Sequence, residues 1–229
     1  MPLPSDRPDL LASSAGYVPV AEAIADGLRQ DILQWRLRPG QRIRQEAVAR
    51  RYRASRMPVR QALQRLEMEG LVTFSSHVGA RVATLTLADL DELYRLREQL
   101  EPLAVAESTP LLSPDQLAEL SELEREMRAV GGDDRSRWID LDRHFHLLTY
   151  AAAPLPRLRD TIAELWNAVQ PYRPAYTALP DTLDPAQREH RELVEAIRRR
   201  DHELAGQIVE RHLRRIRLEV LGRPGLFED

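Results

Sequence analysis

Four residues in the second half of the chain have the types and spacing of a metal centre. Asp142 and His146 stand four apart in a segment of helical periodicity, so both side chains leave one face of that helix. His190 and His212 lie in the next two helical segments, on either side of a turn at Arg200-Asp201. The midpoint of positions 190 and 212 is 201, and residues equidistant from the turn of an antiparallel helical hairpin lie side by side. If the Asp142 helix packs alongside, one carboxylate and three imidazoles converge inside a bundle. That donor set suits a divalent transition metal of zinc, nickel or manganese type, with positions left for water or a ligand carboxylate. Each histidine taken alone reads as well as a core or surface residue, and only the joint placement points to a site. His144 points about 160° away from His146 around the helix, and His202 is too near the turn, so both read as surface residues.

A second kind of chemistry lies nearer the N-terminus. Between Arg36 and Arg65 there are ten arginines and one acid, Glu46. A helix opening at Ser55 puts Val59, Ala62, Leu63 and Leu66 on one face and leaves Arg56, Arg60 and Gln64 together on another. A recognition helix presents such N-terminal residues to base edges in a major groove, where an arginine fork bonds guanine O6 and N7 together. Arg50, Arg51 and Arg53, around the preceding turn, are better placed for phosphates. The plain alternative is a solvated basic face.

These residues must be positioned by two differently charged parts. Residues 1–84 carry 13 arginines against eight acids, and the remainder carries 20 against 28, so a net charge of −3 hides a basic first part. The imbalance suggests an anionic polymer as partner for that part. Every basic residue is arginine and none is lysine, so arginine at any one site carries little weight. With no cysteine, disulfides, thiolate metal sites and a cysteine nucleophile are excluded. No apolar run approaches the roughly 20 residues of a membrane span, and residues 1–16 lack a signal-peptide pattern, so a cytoplasmic protein without a membrane partner is expected.

The spacing predicts a disordered tail over 1–16, then helices over Val18–Trp35, about Gln45–Arg51 and from Ser55 to Gly70. Leu71–Phe74 and Arg81–Ala83 read as strands of a hairpin. Beyond Thr84, helical periods fill about Leu87–Glu107, Pro114–Ala129, Arg135–Ala153, Leu155–Val169, Pro185–Arg200 and Asp201–Leu221, with a break over Pro171–Pro185. The expected fold is mainly α: a winged helix-turn-helix domain over 17–84 and an antiparallel six-helix bundle over 85–221, followed by a tail over 222–229.

Leu37-Arg38-Pro39-Gly40, Ser55-Arg56-Met57-Pro58-Val59-Arg60-Gln61-Ala62-Leu63, Leu66–Val72 and Gly79–Val82 together resemble the GntR family of bacterial transcription factors. The likeness covers about residues 18–84, with Gln45 in place of the usual Glu and Arg53 in place of the usual turn glycine. It implies that Arg56 and Arg60 read the operator and that Ser76 and His77, at the hairpin tip, enter the minor groove. Asp142-Arg143-His144-Phe145-His146, Glu189-His190 and His212-Leu213 resemble the FCD ligand-binding domain of the FadR subfamily, over about 86–221. Leu93–Arg97 through Glu101–Ala104 matches its first helix, and six helices look more like its VanR-type branch. By this resemblance Asp142, His146, His190 and His212 hold a metal that anchors a small organic acid. Arg97 falls where a ligand-facing arginine occurs, or else forms an interhelical salt bridge. The family's usual asparagine is replaced near Leu155.

The resulting expectation is a homodimeric, effector-responsive regulator, a repressor rather than an activator, on a near-palindromic double-stranded operator. One rival is a metal-dependent hydrolase-like enzyme, against which no nucleophile elbow, general base or phosphate loop is recognisable. The other is a non-sensing helical DNA-binding protein with a vestigial site.

Overall fold

The computed structural model describes residues 20–34, 36–75, 79–130, 134–177 and 182–223. The tail expected over 1–16 lies outside them, as do residues 224–229 of the tail expected over 222–229, Trp35 and the hairpin tip with Ser76 and His77. The chain divides into two compact units, 1–84 and 85–229.

The first unit runs α1 (Val20–Leu33), β1 (Arg42–Ile43), α2 (Gln45–Arg51), α3 (Arg56–Met68), β2 (Val72–Ser75) and β3 (Gly79–Val82). Ile24, Leu28 and Ile32 of α1 meet Val59, Leu63 and Leu66 of α3 in one core with Val48. The expected hairpin is present, with Thr73 opposite Arg81. A strand absent from the sequence reading, β1, pairs with β3 to complete a three-stranded sheet in the order β1-β3-β2. Two residues carry no alternation, so β1 could not be read from the pattern. The φ of +74° at Gly40 turns the chain back just before it.

Buried charge fixes α2. Asp31 of α1 is fully buried and pairs with Arg36 (Nε–Oδ1 2.7 Å) and with Arg51 at the end of α2. Arg51 therefore holds the helix-turn-helix together, where the sequence reading placed it on phosphates. Between α2 and α3, Arg53 takes a φ of +48°, the left-handed conformation that the usual glycine would adopt freely. Ser55 occupies the N-cap of α3, as its type predicts, yet its hydroxyl makes no capping bond.

The second unit contains α4 (Leu87–Ser108), α5 (Pro114–Val130), α6 (Arg135–Thr149), α7 (Pro156–Val169), α8 (Arg173–Thr177), α9 (Leu183–Arg198) and α10 (His202–Leu221). The six expected long helices are there, α6 ending four residues early. The break expected over Pro171–Pro185 is the main correction. It holds a 3-10 turn at Gln170–Tyr172 and the short α8. Pro171 and Pro174 sit in the first turns of these pieces, where a missing N–H is no loss, so proline did not mean loop. Helix count alone therefore does not favour the VanR-type branch.

Thr86 and Asp89 form a capping box that starts α4. Its Pro102 carbonyl lies 3.2 Å from where a Cβ would stand on Gly206, so glycine there lets α10 lie close along α4. The core is aromatic at its centre, with Trp138, Phe145 and Trp166 almost fully buried beside Ile162, Leu193, Ile197 and Leu213.

Left-handed backbone costs a non-glycine residue about 1–2 kcal/mol, partly returned by glycine's greater freedom when unfolded. Arg53→Gly should therefore stabilise the first unit by about 0.5–1 kcal/mol. Urea unfolding monitored on this unit checks it; a loss of stability would contradict the strain at Arg53.

Candidate functional site

The DNA-facing candidates lie on the outer side of α3. Its buried face is Val59, Ala62, Leu63 and Leu66, which turns Arg56, Arg60 and Gln64 outward, all exposed. The Arg56 side chain is 79% exposed and pairs with Glu46 at 3.6 Å. Arg50, Arg53 and Ser55 are exposed around the turn. Arg51 is committed to Asp31.

The metal candidates meet in the centre of the second unit. Imidazole nitrogens of His146 (α6), His190 (α9) and His212 (α10) lie within 4.8 Å of one another, all three side chains buried. The mirror placement about the α9–α10 turn holds: the His190 and His212 rings have centroids 5.1 Å apart. His146 Nε2 and His190 Nε2 are 3.1 Å apart. Nitrogens 2.0–2.1 Å from one ion at right-angle to tetrahedral separation stand about 2.9–3.4 Å apart, so the pair fits a common ion. His212 Nδ1 bonds Glu189 Oε2 at 2.6 Å. A carboxylate on the far ring nitrogen fixes the tautomer and aims Nε2, as metal-ligating histidines require. Arg215 grips the same carboxylate, with Nη2 on Oε2 at 2.7 Å. Burial alone would raise the Glu189 pKa, but the bonds from His212 and Arg215 bring it down to about 2.

Asp142 stands beside the triad rather than within it. Its Oδ1 is 3.4 Å from His190 Nε2 and 3.7 Å from His146 Nε2, while its Oδ2 accepts a 2.5 Å bond from Arg173 Nη2. Burial raises its pKa against the pull of Arg173, His212 and Arg97. His146 and His190 are pushed well below the ordinary value, first by burial and then by neighbouring positive charge. Neutral imidazoles are the form that binds a metal.

Arg97 is buried and pairs within its own helix, its Nε on Glu101 Oε1 at 2.6 Å, and among the described residues it forms no interhelical salt bridge, one of the two alternatives expected for it. Its guanidinium lies 4.1 Å from the centre of the Trp166 ring, and its Nη1 has no hydrogen-bond partner. His144 pairs with Glu119 at the surface. Two contributors escaped the sequence reading. Arg173 lay in the segment read as a break. Glu189 could have been found, because positions 189 and 212 are also mirror-related about the same turn.

A winged helix-turn-helix joined to a helical unit with a buried polar centre defines a DNA-binding transcriptional regulator. Residues 20–82 match the bacterial regulatory proteins of the gntR family, and residues 92–215 match the FCD domain. The chain belongs to the GntR family, and its relatives are regulators rather than enzymes. It is 31% identical to the HTH-type transcriptional regulator McbR of Escherichia coli over 82% of this chain and 86% of McbR. It is 30% identical to a probable D-xylose utilization operon transcriptional repressor of Paenarthrobacter nicotinovorans, over 85% of each. The solved McbR structure superposes with a TM-score of 0.78 at 26% identity, over 90% of this chain and 99% of that one. No helix among the described residues is long and apolar enough to cross a membrane.

The buried imidazoles set a pH dependence. Unfolded, His146 and His190 titrate near 6.5; folded, they resist protonation until well below it. As pH falls through about 6.5 the unfolded chain takes up protons first, so the second unit loses stability until the folded-state values are passed. Metal-stripped protein should show a falling Tm from neutral to mildly acidic pH, with a shallower slope in His190→Gln. A flat profile would contradict neutral burial of these rings.

Proposed function

We propose that this chain is an effector-responsive repressor that reads a near-palindromic operator as a homodimer. In this reading His146, His190 and His212, with Asp142 beside them, hold a divalent transition metal that anchors a small organic acid. The observation that carries it is the triad itself, three buried imidazoles with nitrogens within 4.8 Å of one another and one of them aimed by Glu189. When bound, the ion supplies concentrated positive charge for carboxylate oxygens. The chain's own residues do the rest. Trp138, Phe145 and Trp166 keep the surroundings apolar, and Arg97 presents an unbonded N–H.

Arg56 and Arg60 are the proposed base readers, with Gln64 beside them. Arg50, Arg53 and the free-standing hydroxyl of Ser55 suit phosphates, and His77 remains the proposed minor-groove contact. Dimerisation is supported by α4, where Leu93, Leu96, Leu100 and Leu103 repeat at three-four spacing. Leu96 and Leu103 are 45% and 48% exposed, which suits the seam of a helix pair. A route from effector to DNA is supported by the segment after α7. Arg173 holds Asp142, while its neighbour Tyr172 accepts a hydrogen bond from the backbone N–H of Leu85, the first residue of the helical unit. A ligand that shifts Arg173 thereby bears on the chain entering from the DNA-binding unit, which is how differential binding moves a two-state equilibrium. Work on DNA places the protein in the cytoplasm.

Two measurements test this. Arg56→Ala should cost about 1–3 kcal/mol on the operator and relax preference at one base position per half-site. Equal losses on operator and random DNA would remove the base-reading role. Protein purified without chelator should carry near one divalent ion per chain, and His212→Ala should lose it while keeping operator binding. Wild type without metal that still answers an effector would refute the metal-anchored mechanism and leave the vestigial-site reading.

A further inference from the structure

The buried charges around the triad limit what its ligand can be. Three ion pairs surround the imidazoles: Arg97 with Glu101, Arg173 with Asp142, and Arg215 with Glu189. Arg97 and Arg173 have one buried carboxylate each, while Arg215 is shared by Glu189 and by Glu219, whose side chain is 29% exposed and reaches solvent. Imidazoles bind a metal as neutral ligands, so a divalent ion at the triad adds two positive charges to an interior with no buried carboxylate to spare, and unpaired buried charge is prohibitive. Asp142 does not repair this: its Oδ1 already faces the triad, but its one negative charge is the one that balances Arg173, a guanidinium 5% exposed whose Nε is unbonded.

The unbonded polar atoms point the same way. Arg97 Nη1, Arg173 Nε and Trp138 Nε1 are buried donors without acceptors. Gln170, one turn before Arg173, is 2% exposed with both amide atoms unbonded. Both guanidiniums face the same indole, Arg97 at 4.1 Å and Arg173 at 5.1 Å from the Trp166 ring centre.

From this geometry we infer that Arg173 is a second anchor for the effector, and that the effector is a dianion such as a dicarboxylate, with one carboxylate toward the triad and the other on Arg173. The inference rests on the reading of the triad as a metal centre given above. Binding exchanges partners: Arg173 passes from Asp142 to the ligand as Asp142 becomes available to the triad. A monocarboxylate would leave one buried positive charge without a partner.

Calorimetry on the metal-loaded full chain at neutral pH tests this with succinate, butyrate and succinamate, which share a four-carbon chain but differ in charge. Succinate should bind roughly 10- to 100-fold more tightly than either monoanion. Arg173→Gln, which can still hydrogen-bond Asp142, should bring succinate down to the butyrate level while metal content stays at one per chain. If that variant does not fold, Arg173→Lys keeps the charge but loses the planar fork, and should weaken succinate several-fold without changing butyrate. Equal binding of succinate and butyrate by wild type, or a succinate preference untouched by substitution at Arg173, overturns the inference. Wild type that takes up no metal overturns the reading beneath it instead.

Discussion

The architecture of the helical unit turns on keeping ionisable groups dry. Three imidazoles and two guanidiniums share the interior with Trp138, Phe145 and Trp166. Water cannot solvate them, so each charge needs a protein partner within bonding distance, and burial holds His146 and His190 neutral. That requirement dictates the packing. Arg97 on α4 and His212 on α10 reach the same interior where α10 closes on α4, a close approach eased by the absent side chain of Gly206 beside Pro102. Asp142 and His146 need one face of α6, and His190 needs α9 antiparallel to α10. The short α8 brings Arg173 to the carboxylate of Asp142.

Much of this was legible from residue spacing, because helices convert spacing into direction. Four-residue separation put Asp142 and His146 on one face, and symmetry about Arg200-Asp201 put His190 beside His212. The winged helix was legible from the apolar face of α3 and the paired runs around Gly79. What escaped was whatever lacks a period. β1 is two residues long. α8 hides behind prolines that it accommodates in its first turn, and Arg173 was lost with it. Arg51 shows a different limit: the sequence gives charge and exposure prone to phosphate contact, but not that α1 carries a buried carboxylate within its reach. The pairing of Arg97 with Glu101, four residues on, follows the helical-pair rule, whereas the family resemblance implied a ligand-facing arginine or else an interhelical salt bridge.

The two units bury carboxylates to different ends, and the difference separates a brace from a site. Asp31 is fully buried, yet both of its oxygens are paired, with Arg36 and Arg51, whose own side chains still reach solvent. That carboxylate is fully paired and ties α1 to α2, although Arg51 Nε is buried without a partner. Around Asp142 more is left open. The paired groups are as deeply buried as their partners, and unbonded atoms remain on Arg97, Glu101 and Arg173. Ion pairs of this depth seldom add stability over well-packed apolar residues of the same volume. A bundle selected for stability alone would fill the space with leucine. Buried charged groups with bonds left to make, donors outnumbering acceptors, are the feature on which the proposal of an anionic effector rests.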